Sequence, residues 1–160
     1  MKNRKKKIEK IIQKLSNISQ TITFAESCTG GRIAAAFTAI SGASAVLNGS
    51  CVTYSNLIKH QWLGVSNEVL QTHGAVSTEC VLQMLEGICN IADSQYAICT
   101  SGIAGPTGGT PQKPVGTVYV GIKTPQDSKV YHCFFEGDRE EIQEQSVTFA
   151  IEKMTNALKI

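Results

Sequence analysis

Ile8, Ile11, Ile12 and Leu15 recur at the i, i+3, i+4, i+7 spacing of one helix face, which predicts an amphipathic helix over residues 4–17. A short β-branched run over 21–25 then predicts a strand. Residues 32–40 are Ala-rich and read as a helix, broken at Ser41-Gly42-Ala43-Ser44. A second strand is expected over 46–54, with Gly49 inside it, followed by short helices over 57–63 and 67–71. Ser77 is a good N-cap for a helix to about residue 91, whose apolar face is Val81, Leu85, Ile88 and Cys89. The apolar run 96–100 reads as a buried strand. Alternating runs over 115–123 and 129–135 read as two strands joined by a tight turn. Asp138 with Glu141 forms a capping-box pattern ahead of a last helix to about Leu158.

Helices and strands thus alternate, and a hairpin ends the sheet. The expected fold is α/β: a single three-layer α/β/α domain with a mixed sheet, spanning residues 1–160. The length suits one domain. With 42% hydrophobic and 18% charged residues, the composition excludes a disordered chain, a collagen-like repeat and a coiled coil. No apolar run reaches about 18 residues, so no transmembrane helix is expected. Glu9, Lys10, Gln13 and Lys14 interrupt the segment where a signal peptide would need an apolar stretch, so the expected location is the cytoplasm.

Charge is unevenly distributed. Residues 1–14 carry seven basic side chains against Glu9, a local charge of +6 within a net charge of +2, so the remainder is mildly acidic. Residues 1–7 read as a basic N-terminal arm able to attract a phosphate polymer. No aromatic residues interleave with it for base stacking, and a nucleic acid is not the expected partner. The six cysteines show no C-x-x-C spacing, and the three histidines form no ligand pattern. Free thiols and no metal are therefore expected.

Three segments carry candidate chemistry. The first is Ala25-Glu26-Ser27-Cys28-Thr29-Gly30-Gly31, a polar, Gly-rich turn between a strand and a helix. Such a turn presents backbone N–H groups to an anion or oxyanion, and Ser27 sits where a nucleophile would be offered. It is neither G-x-S-x-G nor a P-loop. An ordinary strand–helix turn with Ser or Thr as N-cap fits the spacing equally well. The second is Thr53-Tyr54-Ser55-Asn56-Leu57-Ile58-Lys59. A serine nucleophile needs a base, and at its unperturbed pKa only about one lysine in 2,500 is neutral at pH 7. Burial must lower Lys59 for it to serve, with Tyr54 passing the proton or holding the amine. The third is the Gly- and Pro-rich loop over 101–116, which opens Ser101-Gly102-Ile103-Ala104-Gly105-Pro106-Thr107-Gly108-Gly109 and contains Lys113. A Gly-rich loop at the end of a strand is a usual ligand position.

Taken together these segments resemble the CinA C-terminal domain family, the nicotinamide-nucleotide amidases. Val52-Thr53-Tyr54-Ser55-Asn56 with Lys59, Leu63-Gly64-Val65, His73-Gly74-Ala75-Val76-Ser77, Lys113-Pro114-Val115-Gly116-Thr117-Val118 and Gly137-Asp138-Arg139 extend the likeness over about residues 8–158. The resemblance implies hydrolysis of nicotinamide mononucleotide to nicotinate mononucleotide and ammonia, in pyridine nucleotide recycling. It implies Ser27 as nucleophile, with Lys59 and Tyr54 as activating partners, and no metal or organic cofactor. The oxyanion is expected near the N–H groups of Thr29, Gly30 and Gly31, with Gly102 a second candidate. Asn56, Ser101, Gly102, Gly105, Thr107, Gly108 and Lys113 complete the expected substrate-binding set, the phosphate lying against the loop and Lys113. Many relatives carry a preceding molybdopterin-binding-like domain, a Thr where Ser101 stands and an Arg near Gln143. A second reading is a non-catalytic nucleotide-binding or partner protein linked to competence and DNA damage; a third is an amidase for another small amide. A homo-oligomer is expected from base rates alone.

Overall fold

Phe24 and Ile98 face one way along their strands, and Ala25 and Cys99 the other, yet all four are fully buried. Strands that are apolar on both faces need helices on both faces, and the computed structural model, which describes residues 2–160, supplies them. The elements in chain order are α1 (Lys2–Asn17), β1 (Ile22–Glu26), α2 (Arg32–Thr38), a single 3-10 turn (Ala43–Ala45), β2 (Leu47–Val52), α3 (Asn56–Leu63), α4 (Asn67–Thr72), α5 (Thr78–Ala92), β3 (Tyr96–Gly102), β4 (Thr117–Lys123), β5 (Ser128–Phe134) and α6 (Arg139–Ala157). The sheet order is β2-β1-β3-β4-β5. β1 pairs in parallel with both β2 and β3, whereas β3–β4 and β4–β5 are antiparallel. This is the expected three-layer α/β/α arrangement with a mixed sheet.

One core layer joins α1, α2 and α6 to the sheet through Ile11, Leu15, Phe24, Phe37, Ile98, Val120 and Ile151. The other packs α5 and α3 against Ala25, Ala97 and Cys99 through Leu63, Val81, Met84 and Leu85. α3 comes close to α5 because residue 87 is Gly: a Cβ there would collide with the Leu63 backbone. Gly64, at φ +71°, then turns the chain out of α3.

The basic N-terminal arm expected over residues 1–7 is not an arm. From Lys2 the chain is already helical, and Arg4 and Lys7 reach Glu144 and Glu152 of α6 at 2.7 and 3.4 Å. The acidic flank of α6 draws these side chains onto the domain; Met1 lies outside the described residues. The second strand is also shorter than expected. It stops at Val52 because Ser55 caps α3, its Oγ accepting from the Ile58 N–H at 3.2 Å, so Tyr54 lies in the connection between the two. Both caps expected from the sequence are present: Ser77 caps α5, and Asp138 and Glu141 form the reciprocal capping box of α6. All six cysteines are free thiols. Among the described residues no helix is long and apolar enough to cross a membrane.

Candidate active site

β1 and β3 run in parallel, their pairing ends at Glu26 and Thr100, and the cleft opens beyond the carboxyl ends of these strands. Ser27 is the first residue past β1, anchored by its N–H to the Thr100 carbonyl at 3.0 Å. Across the cleft, α3 begins after Thr53, whose N–H donates to the Glu26 carbonyl at 2.9 Å. That tie sets Lys59, one turn into α3, over Ser27.

Lys59 is 1% exposed. Its Nζ lies 3.0 Å from Ser27 Oγ, 2.8 Å from the Thr53 carbonyl and 3.4 Å from the Tyr54 carbonyl. Among the described residues no carboxylate pairs with it. Burial without a counter-charge lowers its pKa from the usual lysine value. A neutral amine held by two carbonyls keeps its lone pair for the Ser27 O–H. That arrangement can take a proton from the hydroxyl as the oxygen attacks.

The neighbouring thiol has the opposite character. Burial pushes Cys28 up to about 12, so it stays protonated near neutrality. Of two adjacent nucleophile types, only Ser27 has a base in hydrogen-bond reach.

Glu26 is fully buried, and its carboxylate accepts from Thr29 Oγ1 at 2.6 Å and from the Ile33 and Ala34 N–H groups at 3.0 and 3.1 Å. Thr29 spends its one hydroxyl proton on Glu26, so the 2.8 Å contact with Thr100 is a bond donated by Thr100. The start of α2 is therefore occupied by the chain's own carboxylate. This corrects the expectation of an open anion site along Thr29, Gly30 and Gly31: none of these residues lines the cleft, and Thr29 is fully buried.

Tyr54 is placed differently from the expectation as well. Its backbone carbonyl faces Lys59, but its exposed side chain turns to α6, where the Arg139 guanidinium donates to Tyr54 Oη at 2.8 Å. In that bond the hydroxyl accepts and keeps its own proton to donate, and Tyr54 lines the cleft with Ser27 and Lys59. Arg139 also donates to the Gly105 carbonyl at 2.6 Å, so it bridges the mouth of the cleft. Both its acceptors are neutral, and among the described residues no carboxylate pairs with it.

Asn56, Ser101, Gly102, Gly105, Thr107 and Gly108 do line the cleft, which encloses about 250 Å³. Ser101 Oγ donates to the Ala75 carbonyl at 2.8 Å, holding the loop to the segment before α5. Gly102 admits no side chain, because a Cβ would stand 2.7 Å from the Thr117 carbonyl. Lys113 lies outside: its exposed Nζ donates to the His73 carbonyl at 2.7 Å and ties down the far end of the loop.

The site residues expected from the sequence do not include Glu26, Arg139 or Gln143, although Gln143 marks the place near which many relatives carry an Arg. Gln143 is buried, and its Nε2 donates to the Cys28 carbonyl at 2.9 Å. One signal was present: Arg139 and Gln143 are four residues apart, and Gln143 interrupts the buried face of α6 between Ile142 and Val147.

Comparisons with known proteins give the family of the chain. The family model described as the CinA C-terminal domain matches residues 4–158. A CinA-like protein of Endomicrobium trichonymphae is 46% identical over 139 residues, covering 87% of this chain and 32% of that protein. A putative competence-damage inducible protein of Thermoanaerobacter sp. (strain X514) is 42% identical over 144 residues, covering 90% and 35%. The chain thus spans about a third of the length of these curated relatives. Among solved structures, the competence/damage inducible protein CihA from Agrobacterium tumefaciens superposes with a TM-score of 0.93 at 38% identity, covering 98% of this chain and 96% of that one. A CinA superfamily protein from Klebsiella pneumoniae 700603 gives 0.93 at 35% identity, with 98% of each chain covered. In sequence and in fold, this chain belongs to the CinA C-terminal domain family.

Proposed function

We propose that the chain is a serine amidohydrolase that converts nicotinamide mononucleotide to nicotinate mononucleotide and ammonia. The observation that carries this reading is the buried Lys59 amine, 3.0 Å from Ser27 Oγ and with no carboxylate partner among the described residues. In the proposed reaction Ser27 Oγ bonds to the carboxamide carbon while its proton passes to Lys59 Nζ. Collapse of the tetrahedral intermediate breaks the C–N bond, and Lys59 returns the proton to the leaving nitrogen as ammonia departs. Water then attacks the acyl-enzyme, its proton again taken by Lys59, and Ser27 is released with its hydroxyl restored.

The substrate assignment is supported by the family resemblance and by Arg139, a cation at the cleft mouth with only neutral acceptors. A substrate phosphate would exchange these for charge-assisted bonds. Lys113, outside the cleft, is not needed for that role. The test is ammonia release from nicotinamide mononucleotide by the purified chain beside Ser27→Ala, with nicotinamide riboside as the phosphate-free control. Turnover by the parent alone, faster on the mononucleotide, is expected. Equal turnover by Ser27→Ala removes the mechanism, and equal turnover of the riboside removes the phosphate contact.

A further inference from the structure

We infer that the Gly102 N–H is the donor that receives the carboxamide oxygen as Ser27 attacks. The inference rests on the serine-hydrolase reading of this site and goes beyond it by assigning the place where negative charge develops.

Ile103 bonds across to the start of β4: its N–H donates to the Thr117 carbonyl and its carbonyl accepts from the Gly116 N–H, both at 2.8 Å. Successive residues of a strand turn their backbone groups to opposite sides. The Gly102 N–H therefore points away from β4, toward the side of β3 where β1 lies. Thr100, two residues earlier, faces that same side, and its carbonyl takes the Ser27 N–H at 3.0 Å. Since Glu26 pairs with Thr100, Ser27 stands opposite Ser101, and a continued parallel ladder would bond the Gly102 N–H to the Ser27 carbonyl. The chain turns away instead: the Ser27 carbonyl accepts from the Gly30 N–H at 3.0 Å. The Gly102 N–H makes no hydrogen bond among the described residues. β3 thus offers one rung of ladder without a partner strand next to Ser27, and both Gly102 and Ser27 line the cleft. The donor is held on either side, by the Ser101 hydroxyl on the Ala75 carbonyl at 2.8 Å and by the two backbone bonds of Ile103. Lys59 reaches Ser27 Oγ from α3, a separate element, so base and donor do not compete for one position. Fixed donors of this kind stabilise charge that develops only in the transition state.

A side chain at residue 102 is no clean test, because its Cβ would stand 2.7 Å from the Thr117 carbonyl. The test instead exchanges the Gly102 amide for an ester, placing glycolic acid at that position of the whole chain by cell-free synthesis. The exchange removes the N–H and adds no side chain to the cleft. Losing one oxyanion donor costs about 10²–10³ in kcat, and that loss is expected on nicotinamide mononucleotide, with KM within about twofold. Labelling of Ser27 by a fluorophosphonate, followed by intact mass with Ser27→Ala as blank, should slow by a similar factor. A second measurement reads the N–H itself in the unaltered backbone. Serine carrying carbon-13 in its carbonyl, with glycine carrying nitrogen-15, selects Ser–Gly peptides in NMR spectra, and the chain has two, Ser41–Gly42 and Ser101–Gly102. Ser41→Ala identifies the first. When the fluorophosphonate reacts, the Gly102 proton should move downfield as it meets the phosphonyl oxygen, while Gly42 stays in place. An ester form within about twofold of the parent in kcat and labelling rate, once corrected for folded fraction, overturns the inference. So does a Gly102 resonance that the adduct leaves unmoved. A parent whose Ser27 is not labelled overturns the serine-hydrolase reading and the inference with it. Labelled Ser27 without turnover of the mononucleotide overturns the substrate assignment alone, and the labelling rate and the Gly102 resonance then decide the donor.

Discussion

α3 lines two hollows of very different kinds. Toward the carboxyl ends of the strands it presents Lys59 to a polar cleft of about 250 Å³. Along the free edge of β2 it presents Trp62 and Leu63 to a groove of about 630 Å³, closed by Ile88, Ile91 and Ala92 of α5. The groove is the larger and the more apolar, and it holds Cys51, a thiol raised by burial and by the charge of Glu26. The cleft is smaller but draws on three separate elements: Ser27 follows β1, Lys59 stands on α3 and Arg139 opens α6. Volume here records where a sheet edge lacks a covering helix. Chemistry gathers where parallel strands end together and loops from distant parts of the chain converge.

The sharpest way to break this contrast is to disarm the cleft. Lys59→Met should lower kcat/KM by about 10²–10⁴, the usual worth of a positioned base, with the protein still folded. In the parent, the neutral fraction of Lys59 grows with pH and saturates above its lowered pKa, so kcat/KM should rise with pH and level off earlier than an ordinary lysine would allow. Stability should follow the same group. Between the lowered folded value and about 10.4, the unfolded chain binds the extra proton, so unfolding free energy rises with pH across that window. Denaturant melts at several pH values should show this slope in the parent and lose it in Lys59→Met.

A smaller effect is expected from moving α3 without touching either hollow. Gly87→Ala forces α3 off α5, because the new Cβ meets the Leu63 backbone. Overpacking of this kind costs about 1–3 kcal/mol, and a 1 Å displacement of Lys59 about 10² in kcat. Full activity with normal stability would show that α3 relaxes independently of its amine.

Next come the two cations near the loop. Arg139→Ala should raise KM for the mononucleotide by about tenfold, the loss of one charge-assisted contact. Lys113→Ala should change it by less than about twofold, since its amine is held at the His73 carbonyl outside the cleft. The reverse order would move the phosphate to the far end of the loop. Smallest of all, Trp62→Ala in the groove should leave kcat and KM within about twofold. A large loss there would give the groove a share in the reaction.

Most elements were legible because each rests on short-range rules. The apolar spacing of α1 and α5, the Ser77 cap and the Asp138–Glu141 box are satisfied within a few residues. Ser27 and Lys59 were legible as candidates, and the structure brings them to 3.0 Å. Less was legible in the surroundings. A Gly-rich turn before a helix reads as an anion site, and nothing local says that Glu26 folds back to fill it. Tyr54 reads as a partner of Lys59 because they are near in sequence. Its hydroxyl is instead drawn to Arg139, 85 residues away. Likewise the basic residues at the N-terminus read as an arm only while the acidic flank of α6 is out of view.

By itself, then, the sequence determined which segments are helix and strand, that the sheet must be covered on both faces, and which residue types were available for catalysis. Periodicity, capping and composition act over a turn or two and need no distant partner. Only the tertiary structure decided that Lys59 is buried with no carboxylate partner among the described residues, that Glu26 closes the start of α2, that Arg139 joins Tyr54 to Gly105 and that Gln143 reaches the turn carrying Ser27. Burial, charge pairing and peptide orientation depend on how the folded chain packs: Ser27 and Lys59 are 32 residues apart in the chain, and Cys28 and Gln143 are 115.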